Sequence, residues 1–211
     1  MGTIFSFQKE YQEKTVFTFS LPQQQIDQPI ILMLNYWEIN YKNVNGDEQT
    51  CYELMESNTE NEIICGELAI LKYISRKNFM YPNKDIRDSA LVDKWLQKYI
   101  EFKTFLLLFE KGELSSRFYV NYIKDMIEDF DNQKFRRFIE DFDGITVADI
   151  CWYCIINWLK KNDTLLENIE ISDSSLSYLD RIEKFLFEER DSQSDSSYES
   201  EEEELSGKKN E

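Results

Sequence analysis

The 211-residue chain is predicted to fold as an α+β protein, with a small mixed domain over residues 1–80, an all-helical domain over 81–190 and an acidic tail over 191–211. Three observations predict this. Residues 15–21 (TVFTFSL) alternate and are rich in β-branched and aromatic side chains, the pattern of a half-buried strand. From Ser89 onward, apolar residues recur at three- and four-residue steps, the pattern of amphipathic helices. From Asp191 onward there are eight acids (Asp191, Asp195, Glu199, Glu201, Glu202, Glu203, Glu204, Glu211) against Lys208 and Lys209, which makes −6, and only Tyr198 and Leu205 are large and apolar. Such a segment cannot bury enough surface to offset its ordering entropy, so it is expected to be disordered.

In chain order, Pro22 ends the first strand. Asp27 and Pro29 then open a helix through Ile30, Leu34 and Trp37, because proline is tolerated in a first turn. Residues 39–44 (INYKNV) read as a second strand. Residues 51–56 (CYELME) and 62–65 (EIIC) flank the polar turn 57–61 (SNTEN) and read as a hairpin, followed by a helix over 66–77. In the second half, Leu91, Trp95, Tyr99, Phe102, Leu106 and Phe109 mark one helical stripe. Phe118, Tyr122, Ile123, Met126, Ile127 and Phe130 mark the next; after a break near Asp131, Phe135, Phe138, Ile139 and Phe142 continue it. Two further helices are predicted over 147–161 and 175–189.

Composition removes several classes of function. Forty-two per cent hydrophobic and 15% aromatic residues suffice for a core without staples, while 6 Gly and 3 Pro argue against a turn-rich sandwich. Acids outnumber bases 41 to 24, a net charge of −17 that would repel nucleic acid, so no direct nucleic-acid partner is expected. The chain has no His, which removes Ser-His-Asp and Cys-His catalysis, His-ligated zinc and imidazole proton shuttles. Cys51, Cys65, Cys151 and Cys154 read as reduced thiols of a cytoplasmic protein. Cys151 and Cys154 form a C-x-x-C match, but it falls on the apolar stripe inside a helix and so reads as core. A zinc site would need two more ligands. No metal or cofactor is expected. No apolar run reaches the roughly 18 residues of a membrane span, and the first residues lack the pattern of a secretory signal. Met1-Gly2-Thr3-Ile4-Phe5-Ser6 matches a myristoylation pattern at Gly2, with little positive charge after it; no membrane partner is expected. Ser196 and Ser200 each stand three residues before a glutamate, a spacing that acid-directed kinases favour.

Four segments stand in a telling order. A hairpin leads into Glu67-Leu68-Ala69-Ile70-Leu71-Lys72-Tyr73-Ile74. Met80-Tyr81-Pro82 is followed by Ser89-Ala90-Leu91-Val92-Asp93-Lys94-Trp95-Leu96. Then come Gly144-Ile145-Thr146-Val147-Ala148-Asp149-Ile150 and Leu179-Asp180-Arg181-Ile182-Glu183-Lys184-Phe185-Leu186. In the third segment, Thr146 as helix cap and Asp149 three residues on can satisfy each other's free backbone N–H groups, and Ile145 with Ile150 can close a hydrophobic staple. Over roughly residues 15–190 the chain resembles the glutathione-transferase-like superfamily. The resemblance implies a thioredoxin-like domain followed by an all-helical one. The first domain is expected to be shortened, because the stretch from Tyr41 to Cys51 is below the dozen residues of a parallel crossover.

The resemblance also implies a glutathione site of three parts: a hydroxyl or thiol at the end of the first strand, a cis-proline before the third, and a Glu/Gln-Ser pair opening the third helix. The chain departs at two of these. Its prolines are Pro22, Pro29 and Pro82, so none precedes the strand near Cys51, and a cis bond without proline is essentially excluded. The acid-serine pair falls on Gly66-Glu67, with serine missing and the acid shifted. Ser20 and Glu67 are the remaining candidates for a glutathione site in a divergent transferase, with Tyr11 as another hydroxyl. The expectation is a non-catalytic protein. It looks most like members attached to the translation machinery, which implies docking to aminoacyl-tRNA synthetases, elongation-factor subunits or a second copy of itself. The implied docking faces are the helix edge of Leu68, Leu71, Lys72 and Ser75, and the last helix at Tyr178, Arg181 and Lys184. A guanidinium at Arg181 can grip a partner carboxylate with two parallel bonds, or pair with its neighbours Asp180 and Glu183.

Overall fold

The computed structural model of the chain describes residues 17–20, 29–43, 53–56, 63–82, 85–133, 135, 137–162, 169 and 171–187. The tail 191–211, Gly2, Tyr11 and Cys51 lie outside these.

Strand β1 (Phe17–Ser20) runs parallel to β2 (Tyr41–Asn43), with Phe17 opposite Tyr41. It runs antiparallel to β3 (Glu53–Glu56), with Ser20 opposite Glu53. Strand β4 (Ile63–Cys65) pairs antiparallel with β3, giving the order β2-β1-β3-β4. Helix α1 (Pro29–Tyr36) makes the crossover between the parallel pair. Its proline sits in the first turn, where a missing N–H costs nothing, and it buries Ile30, Met33 and Leu34. Helix α2 (Glu67–Lys77) starts after Gly66, whose φ of 94° favours a residue without Cβ. This is a shortened thioredoxin-like unit with strands of three or four residues. The crossover expectation needs one correction. β2 and β3 point in opposite directions on either side of β1, so their connection is not a parallel crossover and the dozen-residue minimum does not apply to it.

The second unit is helical: α3 (Ile86–Glu110), α4 (Ser116–Gln133), α5 (Val147–Lys161) and α6 (Asp173–Phe187). The carboxylate of Asp85 caps α3 by accepting the Arg87 N–H at 2.7 Å. In α5 every residue from Val147 to Ile156 is buried, as befits a helix that is central rather than amphipathic. It packs against α3 and α6 of its own unit and against α1 of the other, so one core spans both. Trp95 anchors that core edge-on to Phe130, Phe135 and Trp152, at centroid distances of 5.7, 5.6 and 5.4 Å.

The helical pattern expected to continue through Phe135, Phe138, Ile139 and Phe142 does not form a helix. Helix α4 runs past Asp131 to Gln133, and the later stretch holds a single 3-10 turn, Ile139–Asp141. Within it Glu140 and Asp141 take left-handed φ values of 57° and 53°. Long-range bonds hold this geometry: Glu140 Oε1 accepts from Trp95 Nε1 at 2.8 Å and from Lys94 Nζ at 3.2 Å, and Asp149 Oδ1 accepts the Ile139 N–H at 2.7 Å. Among the described residues no helix is long and apolar enough to cross a membrane.

Candidate functional site

Gly66 turns the chain so that Glu67 enters the seam between the two units, where only 8% of it is exposed. Its carboxylate faces α3. Tyr99 O–H donates to Oε1 at 2.8 Å, and Lys103 Nζ donates to Oε1 at 2.7 Å and to Oε2 at 2.6 Å. Tyr99 and Lys103 are four residues apart on α3 and therefore share a face. Burial lowers the Lys103 pKa against the pull of Glu67. Burial also holds the Tyr99 phenol well above its ordinary value, reinforced by the Glu67 charge. The carboxylate thus takes three hydrogen bonds from two side chains of the protein itself.

Ser20 is the last residue of β1, paired opposite Glu53. No proline lies between Pro29 and β3, and no cis peptide occurs among the described residues. Cys151 and Cys154 are 1% and 0% exposed, and burial pushes the Cys151 thiol well above its ordinary pKa, the opposite of nucleophile activation. Cys65 is exposed beside Gly66. Among the described residues no acid or thiol cluster could hold a metal ion.

The capping residues lie where expected. Asp149 is fully buried, and its Oδ2 accepts both the N–H and the hydroxyl of Thr146 at 2.7 Å each. Its Oδ1 accepts the Ile139 N–H and the Tyr178 O–H. Burial raises the pKa of this carboxyl, opposed by those four donors. One side chain therefore ties the 3-10 turn, the start of α5 and helix α6 together. Ile145 and Ile150 are both buried in the core.

The two expected docking faces divide. Leu71 and Ser75 are 0% exposed and Tyr178 is 1% exposed, so these three serve the protein's own core and offer no surface to a partner. Spacing along a helix placed them on edges; packing of α2 against α1 and α5, and of α6 against α5 and α4, turned those edges inward. Leu68 is half-buried, and Lys72 pairs with Asp93 at 2.9 Å. Arg181 and Lys184 are exposed on α6. The Arg181 guanidinium lies 5.6 Å from the Tyr178 ring centroid and forms no ion pair with Asp180 or Glu183. The sequence placed Tyr99 on the apolar stripe of α3 without pairing it to Glu67, and it did not single out Lys103. The signal present was a lysine one turn from Tyr99 and next to the core residue Phe102, a placement that calls for a buried counter-charge.

No protein-family profile matches the chain, and no curated protein sequence matches it. Solved structures do. The chain is similar to the Pi-class glutathione S-transferase of Onchocerca volvulus with a TM-score of 0.60 and 12% identity, covering 87% of this chain and 95% of that one. It is similar to the glutathione S-transferase of Ascaris lumbricoides with a TM-score of 0.59 and 12% identity, covering 82% and 92%. It is also similar to Ure2p5 of Phanerochaete chrysosporium, crystallised with 1-(S-glutathionyl)-2,4-dinitrobenzene, with a TM-score of 0.62 and 15% identity, covering 92% and 98%. At these identities the likeness establishes the fold: a glutathione-transferase-type pairing of a shortened thioredoxin-like unit with a helical unit.

Proposed function

We propose that the protein is a non-catalytic docking module built on the glutathione-transferase fold, binding other proteins instead of conjugating glutathione. The observation that carries this is the occupation of Glu67: its carboxylate is buried and taken up by Tyr99 and Lys103. Lack of a proline between Pro29 and β3 supports it, since the backbone geometry that presents a peptide there rests on a cis-proline. The surface left for docking is the outer face of α6 with Arg181 and Lys184, and the rim of α2 with Leu68 and Lys72. Partners among aminoacyl-tRNA synthetases or elongation-factor subunits are proposed on the resemblance of residues 89–101 and 144–156 to the translation-associated members, with a second copy of the chain as another partner of the same kind. A cytoplasmic location goes with that role.

Retention on glutathione-agarose together with conjugation of a chromogenic electrophile is the deciding assay. Neither is expected. Retention with turnover would replace this proposal with a divergent glutathione transferase using Ser20, an alternative favoured by the glutathione conjugate bound to the similar Ure2p5.

A further inference from the structure

Glu140 and Asp141 are the one consecutive pair of left-handed residues other than glycine among the described residues, with φ 57° and 53°. Side chains disfavour that region, and strain of this kind persists only where the surroundings hold it. Here the surroundings are arranged around residues 140–144. Both ends of the segment are fixed to one carboxylate. Asp149 Oδ1 accepts the Ile139 N–H just before it, and Asp149 Oδ2 accepts the Thr146 N–H just after it, each at 2.7 Å. Ile139, Ile145 and Thr146 are buried. Between these anchors Asp141, Asp143 and Gly144 are exposed and Phe142 is half-buried. Open space surrounds the point where Gly144 would carry a side chain.

Glu140 differs from its neighbours in the segment. Its side chain is 16% exposed and reaches α3, where Oε1 accepts from Trp95 Nε1 at 2.8 Å and from Lys94 Nζ at 3.2 Å. Trp95 is 1% exposed, so this carboxylate covers a buried N–H. Lys94 and Lys98 lie over the Trp95 ring at 4.9 and 5.6 Å, and Lys98 pairs with Asp129. Trp152 packs edge-on to Trp95 at 5.4 Å, with its own Nε1 buried and without a hydrogen-bond partner.

We propose that residues 140–144 form a flap that opens as a unit while the rest of the fold stays closed, with the Glu140 carboxylate as its catch on α3. Opening lets Glu140 and Asp141 leave the left-handed region and spreads three acids (Glu140, Asp141 and Asp143) that stand within four positions. Closing gains the bonds from Trp95 and Lys94. Strain and like charge thus oppose the catch, which is the balance of an element with two positions. The Asp149 anchors confine the motion, because they hold Ile139 and the start of α5 in place. What the flap gates is solvent access to the Trp95 indole N–H and the aromatic cluster behind it. The device does not depend on whether the protein docks a partner.

The test is hydrogen exchange of the indole N–H groups of the full chain, read by nuclear magnetic resonance. Trp158 Nε1 is buried where its ring meets Phe102, and it reports opening of the whole fold. Trp95 Nε1–H is expected to exchange about tenfold or more faster than Trp158 Nε1–H, as local opening requires. Glycine accepts the left-handed backbone, so Glu140→Gly removes the catch without adding strain. It should speed Trp95 exchange several-fold further and leave Trp158 unmoved. Lys94→Ala, which leaves the flap's own residues intact, should act in the same direction to a smaller extent. Equal exchange of the two indoles in the wild-type chain would overturn the proposal, since the flap would then open only with global unfolding. So would substitutions that speed both indoles alike or neither.

Discussion

Lys103 on α3 donates to both carboxylate oxygens of Glu67, the first residue of α2, at 2.7 and 2.6 Å. The pair crosses the seam between the thioredoxin-like and helical units, with side chains 12% and 8% exposed. Breaking one side of such a pair leaves a buried, uncompensated charge. Glu67→Ala should therefore destabilise the protein by about 3–5 kcal/mol. The double substitution Glu67→Met with Lys103→Met should recover most of that loss, because apolar replacement removes the desolvation cost along with the attraction. Denaturant midpoints of the three proteins check this. A single substitution without effect would mean that the seam does not depend on the pair.

Thr146 and Tyr178 both donate to Asp149, one within a turn and one from α6. Thr146→Ala should lower stability by about 1 kcal/mol or somewhat more, roughly 3 °C in the melt for a chain of this size. Asp149→Ala should cost about 3 kcal/mol or more, since it strands the N–H groups of Ile139 and Thr146 in the core. Thermal melts giving equal losses for the two would show that the contacts beyond the cap contribute nothing.

Alkaline pH should unfold the protein over a defined window. Tyr122 is pushed by burial from the ordinary 10.0 to about 12, and burial also raises Tyr81, Tyr99, Tyr119 and Tyr178. A folded phenol that keeps its proton while the unfolded one loses it makes folding weaker as pH rises. Stability from these groups is whole below pH about 10 and drains away as pH climbs toward 12 and beyond. Tyrosinate absorbance should lag in the native protein and then rise together with loss of helical circular dichroism. Full tyrosine titration at pH about 10 with the fold intact would contradict this.

Thiol labelling should separate the cysteines. Cys65 is exposed and should react in the native state, whereas Cys151 and Cys154 should react only on unfolding, because their access is blocked and burial raises the Cys151 pKa. A chromogenic disulfide added with and without denaturant, followed by peptide mapping, reads this directly. Native labelling of Cys151 would show that α5 opens on the assay's timescale.

Arg181→Ala should leave the melt unchanged, since the side chain is exposed and forms no described ion pair. Once affinity purification and mass spectrometry have supplied a partner, the same substitution should weaken binding by about 2 kcal/mol or more, as interface arginines do. Calorimetric affinity equal to wild type would remove Arg181 from the interface.

The helices, their order and the Thr146–Asp149 cap were legible in the sequence because each rests on relations within a turn or two. Val147–Lys161 matches its predicted bounds for that reason. The four strands were legible as well, from alternation and flanking turns. The stretch from Phe135 to Phe142 was not legible because its apolar spacing suits a helix, while the bonds that shape it come from Trp95, Lys94 and Asp149, which lie 10 to 46 positions away.

The amino-acid sequence alone therefore determined what is local: which segments coil, which extend, where α5 begins, and that no proline stands between Pro29 and β3. Tertiary structure decided which side chains those segments spend on each other. It gave Glu67 to Tyr99 and Lys103, turned Leu71, Ser75 and Tyr178 inward, and left Arg181 in solvent. Periodicity tells which residues share a face of a helix, but not which neighbour that face meets. The meeting depends on crossing angles and on the packing of residues 32 and 36 positions apart, as in the bonds from Glu67 to α3.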